Sequence, residues 1–180
     1  MLSNTQRRYG LVAIALHWLS ALAIFALFAL GWWMMGLDYY SSWYRQAPDL
    51  HKSIGLVLAA ATLFRLLWKA IQIAPRIQGL SARDHQLAKI GQAVLYLVLL
   101  LILASGYLIA TGDARPISVF GWFELPALPW QFAHQADIAG AVHKYAAWTL
   151  VILALGHAAL ALKHHVVDRD HSLKVMLGRD

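Results

Sequence analysis

The sequence predicts an all-α membrane protein, a transmembrane four-helix bundle, on three observations. Of its 180 residues, 60% are hydrophobic and only 13% charged, about half the charged fraction of an ordinary soluble domain. Four apolar segments, at about 11–35, 51–73, 88–110 and 139–163, each approach or exceed the roughly 20 residues that cross a bilayer. None alternates with period two as a membrane strand does. A soluble bundle needs a polar stripe on every helix, and LSALAIFALFALGWWMM has none. Mean hydropathy is +0.55, and the length suits a single domain over 1–180.

The first segment follows a short polar stretch with Arg7 and Arg8. It is longer than the 7–15 apolar residues of a signal peptide and ends at Trp32 and Trp33, as at a membrane interface. Residues 36–50 form a link with Tyr39, Tyr40, Trp43 and Tyr44, which suit the headgroup layer. The second connection, around 74–87, holds Pro75 and Gly79, and Ser81 with Asp84 offers a capping pattern for the third helix. The third connection, about 111–138, carries Pro116, Pro126 and Pro129 among Phe120, Trp122, Phe123, Trp130 and Phe132. A connection of that length is expected to fold against the bundle end with one short interfacial helix, as a membrane anchor or as part of substrate access. The tail after Lys163 is basic and reads as soluble.

Basic residues set the orientation. With the N-terminus in the cytoplasm, the inner side receives Arg7, Arg8, Arg65, Lys69, Arg76, Arg83, Lys89, Lys163, Arg169, Lys174 and Arg179. The outer side receives Arg45, Lys52, Arg115 and Lys144. Both termini are therefore expected inside. This charge distribution speaks for a membrane and against nucleic acid as the partner of a chain with net charge +6. With no cysteine, disulfides, thiolate catalysis, iron–sulfur clusters and covalent haem attachment are excluded.

Four of the nine histidines fall within the segments. His143 and His157 are 14 residues apart on the fourth, about 21 Å along one helix face. His17 lies in the first turns of the first segment and His51 opens the second. Depth pairs His17 with His157 on the inner side and His51 with His143 on the outer side. A lone intramembrane histidine is commonly an interhelical hydrogen-bonder, but four matched in two layers give each costly polar group a counterpart at its own depth. Zinc would need more donors, and no Cys, Asp or Glu lies within a segment. A macrocycle supplies four equatorial nitrogens and needs two axial ligands, so two b haems between the helices are the economical reading. Gly55 and Gly106 would let a flat ring approach the backbone, or serve as ordinary packing contacts.

Arg65, 14 residues after His51, shares its helix face near the inner layer. It could pair with a haem propionate or a quinone oxygen, or snorkel to the surface. Lys52 and Lys144 each follow an outer histidine and could neutralise propionates, draw in an anion, or simply be solvated. His85, His134, His164, His165 and His171 read as solvated.

LHW in the first segment, HKSIG with LFRLLWK in the second, SGYLIATG in the third, and HKYAAWTLVILALGHAALALKHH with its RDHSLKVML tail resemble the bacterial cytochrome b561 family across nearly the whole chain. The resemblance implies a four-helix protein of the bacterial inner membrane with two b haems. It carries the ligands onto His17, His51, His143 and His157, and the family's second-helix arginine onto Arg65. Gln92 stands where many relatives have a histidine. Similar members include a superoxide oxidase that passes electrons from periplasmic superoxide to ubiquinone; others are electron carriers. The expected function is electron transfer between a periplasmic-side donor and the quinone pool. As an enzyme the chain would be a superoxide:ubiquinone oxidoreductase. The alternative is a haem-bearing anchor for a separate dehydrogenase or periplasmic redox protein. A metal-ion transporter would need the intramembrane carboxylates this chain lacks.

Overall fold

A computed structural model describes residues 1–75 and 82–178. Gly79, the Ser81 cap, Arg76 and Arg179 lie outside the described residues. The elements run α1 (Leu11–Met34), α2 (Gln46–Ile71), α3 (Ala82–Ala110), β1 (Ile117–Val119), β2 (Phe123–Leu125), α4 (Gln135–Val166) and α5 (Ser172–Met176). The four long helices are those of the predicted transmembrane bundle, each long and apolar enough to cross a membrane. Leu22, Leu67, Leu97 and Ile152, one from each, remain 68%, 69%, 68% and 64% exposed. That outward apolar surface calls for lipid, since it finds no burial within the chain.

Helices α2, α3 and α4 begin earlier than their apolar runs. The extra turns are polar and suit a helix start: Asp49 lies in the first turn of α2, Asp84 in that of α3 and Asp137 in that of α4, where a carboxylate meets the positive end of the helix dipole. Pro48 fits the first turn of α2, where its missing N–H has no helical acceptor to lose. At the other end of α4, Lys163, His164 and His165 occupy the last turn.

The chain divides into two compact units, each holding a stretch of all four long helices. The first comprises Met1–Ala21, Ala61–Tyr96 and Ile152–Asp180. Its buried residues are mostly polar: Ser20, Thr62 and Asp170 beside Val175. The tail is part of this unit. Asp170 caps Ser172 through N–H and O–H bonds of 2.9 Å, and the Trp18 indole donates to the Met176 carbonyl at 3.1 Å. The exposed Asp168 carboxyl is held below its usual range by the Lys163 ammonium, 2.8 Å away, with His164 at 2.7 Å. His164 and His165 are half-buried rather than solvated as expected; His164 faces Asp168 at 2.7 Å and Asp170 at 3.7 Å, in the turn that follows α4.

The second unit, Leu22–Ala60 with Leu97–Val151, holds the apolar core: Leu27, Leu58, Leu99, Ala139, Ala146 and Leu150. Its connection between α3 and α4 forms a hairpin instead of the expected short helix. Ile117 pairs with Leu125 and Val119 with Phe123. The turn places Phe120 and Gly121 at φ of 52° and 73°, and Trp122 N–H closes it on the Val119 carbonyl at 2.9 Å. Prolines at both flanks stop a helix, while Ile117 and Val119 point inward at 3% and 2% exposure.

Ser53 of α2 fastens this hairpin. It donates to the Ser118 carbonyl at 3.5 Å and accepts from Phe120 N–H at 3.0 Å. Ser53→Ala strands that N–H, with an expected cost of about 1 kcal/mol and about fivefold faster amide exchange at Phe120. Hydrogen-exchange mass spectrometry of the hairpin peptide checks it; unchanged exchange would show that Ser53 does not hold the turn.

Candidate functional site

Each unit brings together one of the two histidine pairs that depth predicted. In the first unit, His17 of α1 and His157 of α4 have ring centroids 6.5 Å apart with an interplanar angle of 69°. In the second, His51 of α2 and His143 of α4 stand 6.2 Å apart at 68°. Two imidazoles on opposite sides of one metal, each bonded at about 2 Å, place their centroids about 6.3 Å apart. Both spacings fit that requirement. Among the described residues, no three His, Asp or Glu side chains converge as a metal cluster, so protein donors come two at a time.

The rings are held differently. His143 Nδ1 lies 3.0 Å from the Ile102 carbonyl, which can only accept, so this nitrogen carries the proton and Nε2 is bare. A backbone carbonyl on the second nitrogen is the usual partner of a metal-ligating histidine. Ser105 Oγ donates to the same carbonyl at 3.0 Å and lies 3.3 Å from the ring nitrogen. His51 Nδ1 is buried with no hydrogen-bond partner among the described residues.

Two glycines floor this pair. A Cβ on Gly106 would stand 3.1 Å from His143 Cε1 and 3.3 Å from its Nδ1; one on Gly31 would stand 3.1 Å from His51 Cε1. Gly31 was not legible as a site residue, being one glycine in an apolar run. Gly106 was, although the ring it faces is a histidine's own. A Cβ on Gly55 meets nothing within 4 Å.

In the first unit the His17 Nδ1 faces Arg65 Nη2 at 3.0 Å. A guanidinium only donates, so in this contact Nδ1 accepts. Arg65 also lies over the Tyr96 ring, its Cζ 5.5 Å from the centroid. Lys69 Nζ is 5.2 Å from the same centroid and 3.4 Å from the Gln92 amide oxygen. The guanidinium therefore turns to a histidine and an aromatic face rather than snorkelling away. Burial pushes the Tyr9 phenol up, Arg65 pulls it back and Tyr96 adds to the rise. Trp18 packs its edge against His17 at 5.1 Å. Tyr96, Trp18 and Tyr9 carried no distinguishing sequence signal beyond being aromatic.

Lys52 is ion-paired with Asp49 at 2.8 Å, so its charge is balanced one helical turn away. Lys144 is exposed. His85 and His134 are exposed as expected.

Residues 8–179 match the family described as prokaryotic cytochrome b561. This chain belongs to that family. It is also 48% identical over 178 residues to cytochrome b561 homolog 2 of Escherichia coli (strain K12), covering 98% of this chain and 95% of the relative. As a prokaryotic cytochrome b561 it is a multi-pass membrane electron carrier of the bacterial inner membrane, and the family implies b-type haem.

The glycine contacts generate an ordering. Adding a methyl group to a packed site costs about 1–3 kcal/mol, while Gly→Ala within a helix returns up to about 1 kcal/mol. The His51 ring has no polar tie on Nδ1 and can give way, so Gly31→Ala should be near neutral. The His143 ring is tied to Ile102, so Gly106→Ala should lose about 1 kcal/mol or more. Thermal melts of the two variants in detergent test the ordering; equal melting temperatures would remove it.

Proposed function

We propose that this cytochrome b561 carries two b haems, one between His17 and His157 and one between His51 and His143, and passes electrons from a periplasmic-side donor to ubiquinone. The observation that carries this reading is the pair of matched spacings, 6.5 and 6.2 Å with near-equal ring angles, with no third His, Asp or Glu donor converging on either pair among the described residues. A haem held by two histidines supplies a one-electron couple and leaves no open coordination position. The chain's own residues supply the rest. Four imidazoles would hold and orient, Ile102 and Gly106 fix His143, Arg65 provides positive charge beside His17, and the lipid-facing leucines exclude water.

The positive-inside distribution supports cytoplasmic termini, which puts His51 and His143 towards the periplasm. With superoxide as donor, two superoxide ions each lose one electron to give two dioxygen molecules, and ubiquinone takes up the two electrons with two protons to give ubiquinol. With His51 and His143 as its two protein ligands, the outer haem would offer superoxide no open position, so the encounter would be outer-sphere. Lys144 is the exposed cation beside the outer pair and would attract such an anion; Lys52, already balanced by Asp49, contributes less. A second reading, an anchor for a dehydrogenase or periplasmic redox protein, draws on the exposed aromatics of the α3–α4 connection. Trp122 is 82% exposed there, and Phe123 and Trp130 are each 58%.

A pyridine haemochrome assay should give two haems per chain, and His17→Ala and His157→Ala should remove the same optical component while His51→Ala and His143→Ala remove the other. One haem per chain, or His17→Ala and His51→Ala removing the same component, would contradict the pairing.

In proteoliposomes holding ubiquinone, a superoxide source should yield ubiquinol at half the superoxide consumed. Reduction of the haem bands only after addition of a protein partner would select the anchor instead.

A further inference from the structure

The two histidine pairs sit in opposite electrostatic settings. Beside His17 is one cation, Arg65, 3.0 Å from the ring nitrogen; a second, Lys69, shares the Tyr96 ring with Arg65 at 5.2 Å against 5.5 Å. Their contacts are a histidine, an amide oxygen and an aromatic face; among the described residues neither meets a carboxylate. Beside His51 the sequence-adjacent cation, Lys52, is cancelled by Asp49 at 2.8 Å, and Lys144, which follows His143, is exposed, where solvent and salt screen its charge. His143 instead gives its Nδ1 proton to the Ile102 carbonyl at 3.0 Å, whose acceptor character makes the imidazole a stronger electron donor.

Both differences act in one direction. Adding an electron near an uncompensated positive charge is favoured, and more so where lipid keeps the dielectric low. A more basic axial imidazole favours the oxidised form. Resting on the two-haem reading above, we infer that Arg65, backed by Lys69 across the Tyr96 ring, makes the His17/His157 site the more oxidising of the two, so that an electron arriving at the His51/His143 site runs downhill to it. One electron leaves one site and enters the other, and no bond forms or breaks. Arg65 acts here as a positioning charge. When His17 binds through Nε2 its remaining proton belongs on Nδ1, so the guanidinium gives up that nitrogen. The Tyr96 ring it already overlies keeps it close by.

The test is spectroelectrochemical reduction of the haem-loaded protein in lipid nanodiscs, with the two components assigned by the one that His17→Ala removes. In the wild type that component should reduce first, at the higher potential. Arg65→Gln should move it to lower potential, changing the electron's partition between the sites by about tenfold, while the other component stays in place. Arg65→Lys should restore most of the shift, which a merely structural role would not. Lys69→Gln should produce a smaller displacement in the same direction, and because Lys69 touches no histidine it carries the test if Arg65→Gln fails to retain haem. The inference is overturned if the component lost in His17→Ala is the lower one. It is equally overturned if Arg65→Gln leaves both in place, or if the upper component is unmoved in Lys69→Gln. A wild-type assay giving one haem per chain would instead retire the two-site reading on which it rests.

Discussion

An imidazole inside an apolar helix calls for a polar partner, and much of this structure follows from how four of them are accommodated, with only His51 Nδ1 among the four left buried and unpartnered among the described residues. Water cannot reach a ring in hydrocarbon, so an unmatched nitrogen costs on the order of one to several kcal/mol. Here each histidine lies about 6 Å from another of its kind on a facing helix. The second nitrogens meet a guanidinium at His17 and a backbone carbonyl at His143. Glycines stand against the rings of the second unit, and large aliphatic residues on every long helix also face outward, where lipid would receive them.

The two units answer this constraint with different materials. The second uses shape: glycine floors, a leucine core and a hairpin fastened through Ser53. The first uses charge and hydrogen bonds, with Arg65, Lys69 and Gln92 around Tyr96 and a tail tied back through Asp170 and Trp18. A site built on shape holds a ring in place, whereas one built on charge adjusts the energy of what the ring carries. On the two-haem reading both functions would serve electron transfer, from separate stretches of the same four helices.

The long helices were legible because hydrophobic runs of bilayer length admit few alternatives, and the histidine pairs because polar groups at matched depths stand out against such runs. Helix starts were less legible. Gln46, Pro48 and Asp49 lack hydrophobic signal yet complete the first turn of α2. The hairpin was missed because an aromatic, proline-broken stretch looks like an interfacial segment until the positive φ at Phe120 and Gly121 is known. The Ile102 carbonyl could not have been found at all, since every residue has one and only the fold decides which faces a ring. His164 was misjudged because the carboxylates that meet it, Asp168 and Asp170, come from the turn after α4, which carries no periodic pattern to announce it.

The glycine beneath His143 has a consequence for how such a protein is made. The ring rests on Gly106 and is tied to Ile102 by contacts that involve nothing beyond the polypeptide. Both contacts belong to the polypeptide, so the loss of side-chain freedom in holding the ring to one rotamer, about 1 kcal/mol for a ring of this size, is a cost the fold itself meets. On the two-haem reading, that wall of the socket would be written into the chain rather than imposed by the group it receives.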